Sequence, residues 1–476
     1  MDEHSAGVIK KMAMIRRRNG QRGLWDAVLF GAPDPRKLMD PMLTRIDELL
    51  DDEALVDGVL EAMRGRFAQS GRRGRYGTPA EVALRMLVLK HLKSWSYEQL
   101  QWEVTGNLVY RYFCRIDGGK VPDAKTMVRL GQLLEGESLR ALFERVVQLA
   151  AARRVTRGRK MRVDTTVIEA LIRHPSDSRL CEDVTQVLCR HIERVRSQGV
   201  AAPRGFRNVR RSVGRRQREI TQISRRPLAR DAKRRALRRP YRRLLATTRR
   251  VLRQAERTVT RARRKWRELS GKARRSIFIL RRMIDLGRRV VSQTKLRVFK
   301  GITDSRTKIV SVFEPETKIL RRGKVHKPTE FGHMVKVQEA EGGIVTDIEV
   351  VTEHDAKLLV PSVEHHKKVF GRVPHVVATD RGFFSLDNIR NVAIMGVRCV
   401  AVPKPGHRSA GSLARERSRR FRRARAWRAG GEARISRLKH TFGMHRTRYK
   451  GPTGAERSAY WAGLANNLIA IGRYPG

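Results

Sequence analysis

Apolar positions follow two periods along the chain, and the change from one to the other near residue 154 marks its main division. Before it the pattern is helical. Thr78 and Pro79 form a helix start ahead of Val82, Leu84, Met86, Leu87, Leu89 and Leu92, and Ser96 with Gln99 makes a capping-box pair for a second helix. Asp123 can cap a third through Met127, Val128 and Leu130, and a fourth is predicted at about 138–152. Residues 1–75 mix short polar and apolar runs and end in the linker-like GRRGRYG at 71–77. Beyond 154, Met161, Val163, Thr165 and Val167 alternate with Arg162, Asp164 and Thr166, which predicts a strand with Asp164 on the face opposite the apolar one. A helix follows from Asp177. Strands are predicted again at 309–313, 334–337 and 344–351, the last two joined by Gly342 and Gly343, and then at 375–379 and 397–402. Asp355 can cap a helix ending at Gly371, further helices are predicted at 385–395, 422–442 and 455–471, and 403–411 reads as a linker. This order describes a mixed α/β sheet with one outsized helical insertion.

The insertion has a period of its own. Leu245, Leu252, Val259, Trp266, Ala273 and Leu280 form one seven-residue series, and Thr248, Ala255, Ala262, Leu269, Ser276, Met283 and Val290 form another. That spacing predicts a long helix with a narrow apolar seam, which would extend about 75 Å if unbroken over 241–291. Gly271 and Gly287 leave a break or a hairpin open.

Charge sharpens the picture. The 476 residues carry 104 Lys and Arg against 47 Asp and Glu, a net of +57, with 40% hydrophobic residues. One to three folded domains are expected, and a polyanion is the natural partner rather than a small acidic substrate. Residues 201–300 hold 36 Lys and Arg against 5 Asp and Glu, a net of +31. Arg249, Arg253, Arg257 and Arg264 on the seamed helix are therefore candidates for contact with DNA phosphates, the seam packing on another helix or a second subunit. A solvated charged helix is the plainer alternative. The short helices before residue 153 are compatible with helix-turn-helix reading of DNA, and equally with a structural or dimerisation module. Aromatic residues at 6% weaken an RNA-packing role. Four cysteines without a CxxC pair indicate neither a disulfide framework nor a zinc module. No stretch approaches eighteen consecutive apolar residues, so neither a membrane span nor a signal peptide is expected.

Three acids stand out by context. Asp164 sits within a strand, where a carboxylate runs against propensity unless something binds it. Asp380 ends a strand and is followed by Gly382, which permits a tight turn that leaves the carboxylate at the sheet edge. Glu432 shares a helix stripe with Arg428 and Lys439, roughly 60° round from the apolar stripe of Ile435, Leu438 and Phe442. Singly, Glu432 could be an ordinary partner of Arg428, and Asp380 an ordinary turn residue.

Four stretches together carry a resemblance: VDTTVIEA at 163–170 with HPSDS at 174–178; KPTEFGHMVKVQEAEGG at 327–343; VVATDRGFFS at 376–385; and RAGGEARISRLKHTFGMHRTRYKG at 428–451. The chain resembles bacterial insertion-sequence transposases of the DDE class. In the last stretch Arg428, Glu432 and Lys439 fit that family's signature, whereas the Tyr often found before the Arg is replaced by Arg425. The resemblance implies a ribonuclease-H-like mixed sheet over 154–476, interrupted by the basic helical insertion at 178–300 and preceded by an all-α domain at 76–153 and an N-terminal segment at 1–75. It assigns Asp164, Asp380 and Glu432 as catalytic ligands of two Mg²⁺ ions, for which Mn²⁺ could substitute, and Arg428 and Lys439 would hold phosphates near the scissile bond; Lys324, His326 and Lys327 are further candidates for backbone contact, with a plain charged loop as the alternative. Carboxylates suit such hard cations, and a pair of divalent ions can bind both the attacking and the leaving oxygen of a phosphodiester. The implied activity is cleavage at the element's terminal inverted repeats and joining of the 3′ ends to target DNA, by a homodimer or larger assembly in the bacterial cytoplasm at the nucleoid. An inactive, transposase-derived protein that binds or bridges DNA is the alternative.

Overall fold

A computed structural model describes residues 13–14, 35–65, 75–116, 119–200, 205–304, 307–321, 328–407 and 409–474. The chain divides into two compact units, residues 1–169 with 333–476, and residues 170–332.

In the first unit, short polar side chains start the helices by capping their free amides. Helices α1 (Pro41–Leu49) and α2 (Glu53–Arg64) are set by Asp40, which accepts the Met42 amide at 2.9 Å, and Asp52, which accepts the Leu55 amide at 3.1 Å. Both fall in the stretch whose pattern reads as irregular. Helices α3 (Ala80–Leu92), α4 (Tyr97–Gly106), α5 (Leu108–Phe113), α6 (Ala124–Leu133) and α7 (Glu137–Ala152) follow, with Ser96 and Asp123 capping α4 and α6 as their spacing predicts. These helices share one hydrophobic cluster with strand residues Val335, Val337 and Ile348 and with Trp461 and Leu464. The 76–153 helices are thus packed in the same unit as most of the sheet.

Six strands form a mixed sheet: β1 (Lys160–Glu169), β2 (Lys318–Leu320), β3 (Glu330–Ala340), β4 (Val345–Val351), β5 (Val376–Ala378) and β6 (Cys399–Ala401). β1 is central, with β5 and then β6 parallel on one side and β3 on the other. Arg162 faces Glu339 near one end of β1, and the Ala170 amide donates to Phe331 just past the other, so β1 and β3 run antiparallel. β4 pairs antiparallel with β3 through the turn at Gly342, whose φ of +77° favours glycine. Helices α12 (Asp355–Phe370) and α13 (Leu386–Ile394) cover the face carrying Met161 and Val163. α15 (Arg419–His440) covers the opposite face, and α16 (Gly451–Gly472) holds β4 by a side-chain clamp. In that clamp Asn467 accepts the Val345 amide at 2.8 Å and donates to its carbonyl at 2.7 Å.

The loop entering β1 is pinned by two titratable groups. Glu341 accepts the amides of Arg157, Arg159 and Lys160 at 3.1, 2.8 and 2.9 Å. The buried ring of His366 donates to the Gly158 carbonyl at 2.9 Å. Burial pushes this imidazole down to about 4, against the pull of that carbonyl. The unfolded chain therefore binds the proton more tightly between this value and about 6.5, and stability rises with pH across that window. Going from pH 7 to pH 5 should cost about 2 kcal/mol through His366 alone. Urea midpoints at the two pH values should show that loss in the native protein and a much smaller one in His366→Gln; equal losses would place the acid sensitivity elsewhere.

The second unit is built on α8 (Asp177–Arg196), α9 (Arg210–Arg225), α10 (Arg230–Arg264) and α11 (Gly271–Lys295). A single helix over 241–291 is not formed. α10 ends at Arg264, and Ser270 starts α11 by accepting the Ala273 amide at 3.3 Å. Every residue of both heptad series is buried except Trp266, which lies at the break. The seam packs inside this unit, and a Cβ at Gly287 would come within 2.8 Å of Leu252 and Val184, so the contact of α11 with α8 and α10 needs glycine.

Three further expectations are corrected. The segment 309–313 forms no strand: Ile309, Val310 and Val312 are buried, but Gln293 bonds both the amide and the carbonyl of Ile309 at 3.0 Å, satisfying backbone that a strand would have paired. Asp355 is the first residue of α12 rather than its cap, which is His354. The 403–411 linker gives way at its end to α14 (Ala410–Arg417), which Ser409 caps.

Candidate functional site

Backbone pairing brings two of the three acids together. β1 and β5 are parallel, with Lys160 opposite Val376 and Arg162 opposite Ala378. Two residues further along both strands this register sets Asp164 level with Asp380, and alternation puts both on the face covered by α15. Asp164 is half-buried and takes the Thr165 amide at 2.8 Å. Asp380 is half-buried as well and accepts the Gly382 amide at 2.9 Å, closing the turn after β5. A Cβ at Gly382 would stand 3.1 Å from Asp380 Oδ1 and 3.0 Å from Asp355 Oδ2. A further carboxylate, Asp355 at the start of α12, thus borders the same glycine. Sequence reasoning takes Asp355 only as a helix cap; its approach to Asp380 depends on how α12 packs and leaves no local signal.

Glu432 reaches the pair through an arginine. Arg428 places Nη2 3.2 Å from Asp164 Oδ2 and Nη1 3.9 Å from Glu432 Oε1, so one guanidinium lies between the two carboxylates. The Glu432 side chain is 75% exposed. Lys439 is half-buried two turns further along α15. Among the described residues no three His, Cys, Asp or Glu side chains are gathered closely enough to hold a metal ion.

Beneath these groups lies a buried ionic network that sequence reasoning missed. Arg162, two residues before Asp164 on the same face, bonds Glu339 on β3 at 2.6 and 2.9 Å and donates to the Trp427 carbonyl on α15. Its guanidinium also lies 4.7 Å from the Trp427 ring centroid. Arg434 adds a contact to Glu339 at 3.2 Å and one to Asn466 at 2.9 Å. A Cβ at Gly430 would sit 2.9 Å from Arg162 Nη1, so the glycine pair Gly430 and Gly431 lets α15 approach β1. Two glycines inside a helix, opposite an arginine in a strand, are the available sequence signal for that approach.

The remaining candidates are dispersed. Arg249, Arg253, Arg257 and Arg264 are exposed on α10 of the second unit. Lys324, His326 and Lys327 lie outside the described residues. No helix among the described residues is long and apolar enough to cross a membrane.

Residues 34–133, which include α1 to α6, match a family described as a transposase domain (DUF772). Over 164 residues the chain is 34% identical to the uncharacterized protein ORF8 in the nfe locus of Rhizobium meliloti, covering 32% of this chain and 78% of that protein. The chain belongs to an insertion-sequence transposase family. In this transposase-family chain, the matched helices belong to the unit that carries Asp164, Asp380 and Glu432. No solved structure matches it.

Proposed function

We propose that the protein is a metal-dependent DDE transposase with a ribonuclease-H-like catalytic sheet, which binds the ends of its insertion sequence, cleaves DNA and joins the 3′ ends to a target. The observation that carries this reading is the parallel register that sets Asp164 and Asp380 at matching positions on neighbouring strands. A sheet with its earliest strand in the centre, antiparallel neighbours on one side and parallel ones on the other, supports the fold.

The donor set suits a hard divalent cation, because it offers carboxylate oxygens at the rim of a sheet. A cationic group, the Arg428 guanidinium, already lies between Asp164 and Glu432, which supports the same conclusion. Asp164 and Asp380 would hold Mg²⁺, with Glu432 joining them as Arg428 turns from Asp164 toward a DNA phosphate. Bound Mg²⁺ would polarise the scissile phosphate and ease loss of a proton from the attacking water or 3′-hydroxyl. Asp380 is held in place by the Gly382 amide and Asp164 by the rigidity of β1. Arg428 would neutralise charge at the scissile phosphate, and Lys439 would hold the strand beside it. Pairing two DNA ends would call for at least a dimer.

The exposed arginines of α10 would add sequence-independent contacts to phosphates. Because the seam is core, substitution tests this and deletion does not. The experiment is to incubate the protein with Mg²⁺ and DNA carrying the element's own ends, map the nicks, and measure affinity against salt in parallel. Nicks at the ends are expected. Changing Arg249, Arg253, Arg257 and Arg264 to Gln should flatten the plot of log affinity against log salt by about 3 to 4. Absence of nicks from DNA that is firmly bound would reject the enzyme, and an unchanged slope would remove the α10 contacts.

A further inference from the structure

A second concave site lies in the first unit, at the opposite end of the strands from the carboxylates. Its volume is about 380 Å³, and it opens where β1, β5 and β6 begin, beneath the first half of α15. Lys160 and Arg398 enter from the strand ends, Arg420 and Arg423 from the helix, and His375 and Trp427 complete the wall. Among the described residues, no acidic side chain lines it. Lys160, Arg398, Arg420 and Arg423 are exposed, and none of the four has an ion-pair partner among the described residues.

That pattern is not what packing requires. α15 is anchored on β5 and β6 by the buried apolar residues Phe421 and Ala424. Like charges gathered round a concavity repel one another and raise the local positive potential, which an anion relieves. Arginines three apart on one helix face, with a lysine and an arginine facing them, can grip phosphate oxygens from several sides. From Lys160 to Asp164 the central strand runs about 13 Å, roughly the span of two successive phosphate-to-phosphate steps along one DNA strand.

We propose that this cavity is a phosphodiester subsite for a DNA strand, holding its backbone about two phosphate steps from the phosphate at Asp164 and Asp380. The spacing rests on the cleavage reading; the subsite itself does not, since DNA binding there requires no catalysis.

The test uses the full chain and three forms: the native protein, Arg420→Gln with Arg423→Gln, and a control, Lys367→Gln with Lys368→Gln, on exposed positions of α12. Thermal melting checks that all three fold alike. Affinity for duplex DNA without element ends is measured from 50 to 200 mM salt, with inorganic phosphate as the free-anion probe. Two lost phosphate contacts should lower the salt slope by about 1.8, so that the native protein loses about tenfold more affinity than the variant across this range, and the control should match the native protein. On DNA carrying the element ends, phosphate ethylation should interfere with native binding about two phosphate steps from the nick, and no longer in the variant. An unchanged slope, or an equal fall in the control, overturns the subsite. So does a cavity that binds inorganic phosphate while the DNA slope is unaffected by the variant. A reduced slope in a protein that never nicks DNA keeps the subsite and rejects the cleavage reading, so the two failures are distinguishable.

Discussion

Asp380→Asn should lower Mg²⁺-dependent cleavage at the element ends on the order of 1,000-fold, about 4 kcal/mol of lost transition-state stabilisation, with DNA affinity kept or slightly raised. The reason is geometric as well as chemical. Asp380 is level with Asp164 across a parallel pair, so the two carboxylates form one site, and removing either charge disables both. Asn can still accept the Gly382 amide, which leaves the turn intact and isolates the loss of charge. Asp164→Asn should behave in the same way, and it should free Arg428 for a phosphate, which favours binding. Glu432→Gln is expected to abolish cleavage too, although its carboxylate is largely exposed. The measurement is a nick assay on labelled DNA ends alongside a binding isotherm on the same DNA. Cleavage within tenfold of native for any one variant would remove that residue from the reaction.

These acids stand out by local context, whereas their arrangement is non-local. Asp164 is conspicuous because a carboxylate within a strand runs against propensity, and Asp380 because Gly382 follows it. Nothing in either segment states that the strands are neighbours or that their register differs by 216 positions, since register is fixed by packing on both sheet faces. Asp355 shows the same limit: it borders the Gly382 turn through the docking of α12. Local chemistry was far more legible. Caps at Ser96 and Asp123 act as their spacing predicts, because a cap is decided within three residues. The heptad positions of α10 and α11 are all buried, but the series omits Leu244, Val251, Ile277 and Ile284, which are buried too, and it does not show the chain reversal between the helices. A period reports which face is apolar, and a helical hairpin keeps that face continuous just as one long helix does. At 309–313 the apolar run predicts a strand, yet Gln293 satisfies the backbone of Ile309 and no strand forms.

Loss of Arg162 should be the most damaging single change to the fold near the site. Its side chain is 10% exposed and that of Glu339 only 4%, so the pair is removed from water and held by two hydrogen bonds. Breaking such a pair from one side leaves a buried charge uncompensated and typically costs about 3 to 5 kcal/mol. Arg162→Met keeps most of the volume but strands the Glu339 carboxylate and the Trp427 carbonyl. Arg434, 3.2 Å from Glu339, remains to offset part of the loss, which puts the expected cost near the lower end, about 3 kcal/mol. Glu339→Gln leaves two arginines without their common anion and should cost a similar amount. Combining Arg162→Met with Glu339→Leu removes both charges, and the double variant should be less destabilised than the sum of the single ones. Denaturant midpoints for the set give this coupling directly. The same network seats α15 over β1, and α15 carries Arg428 and Glu432, so Arg162→Met should lower cleavage even at temperatures where the variant is folded. Full cleavage in a folded Arg162→Met protein would show that the network stabilises the sheet without positioning the helix above it.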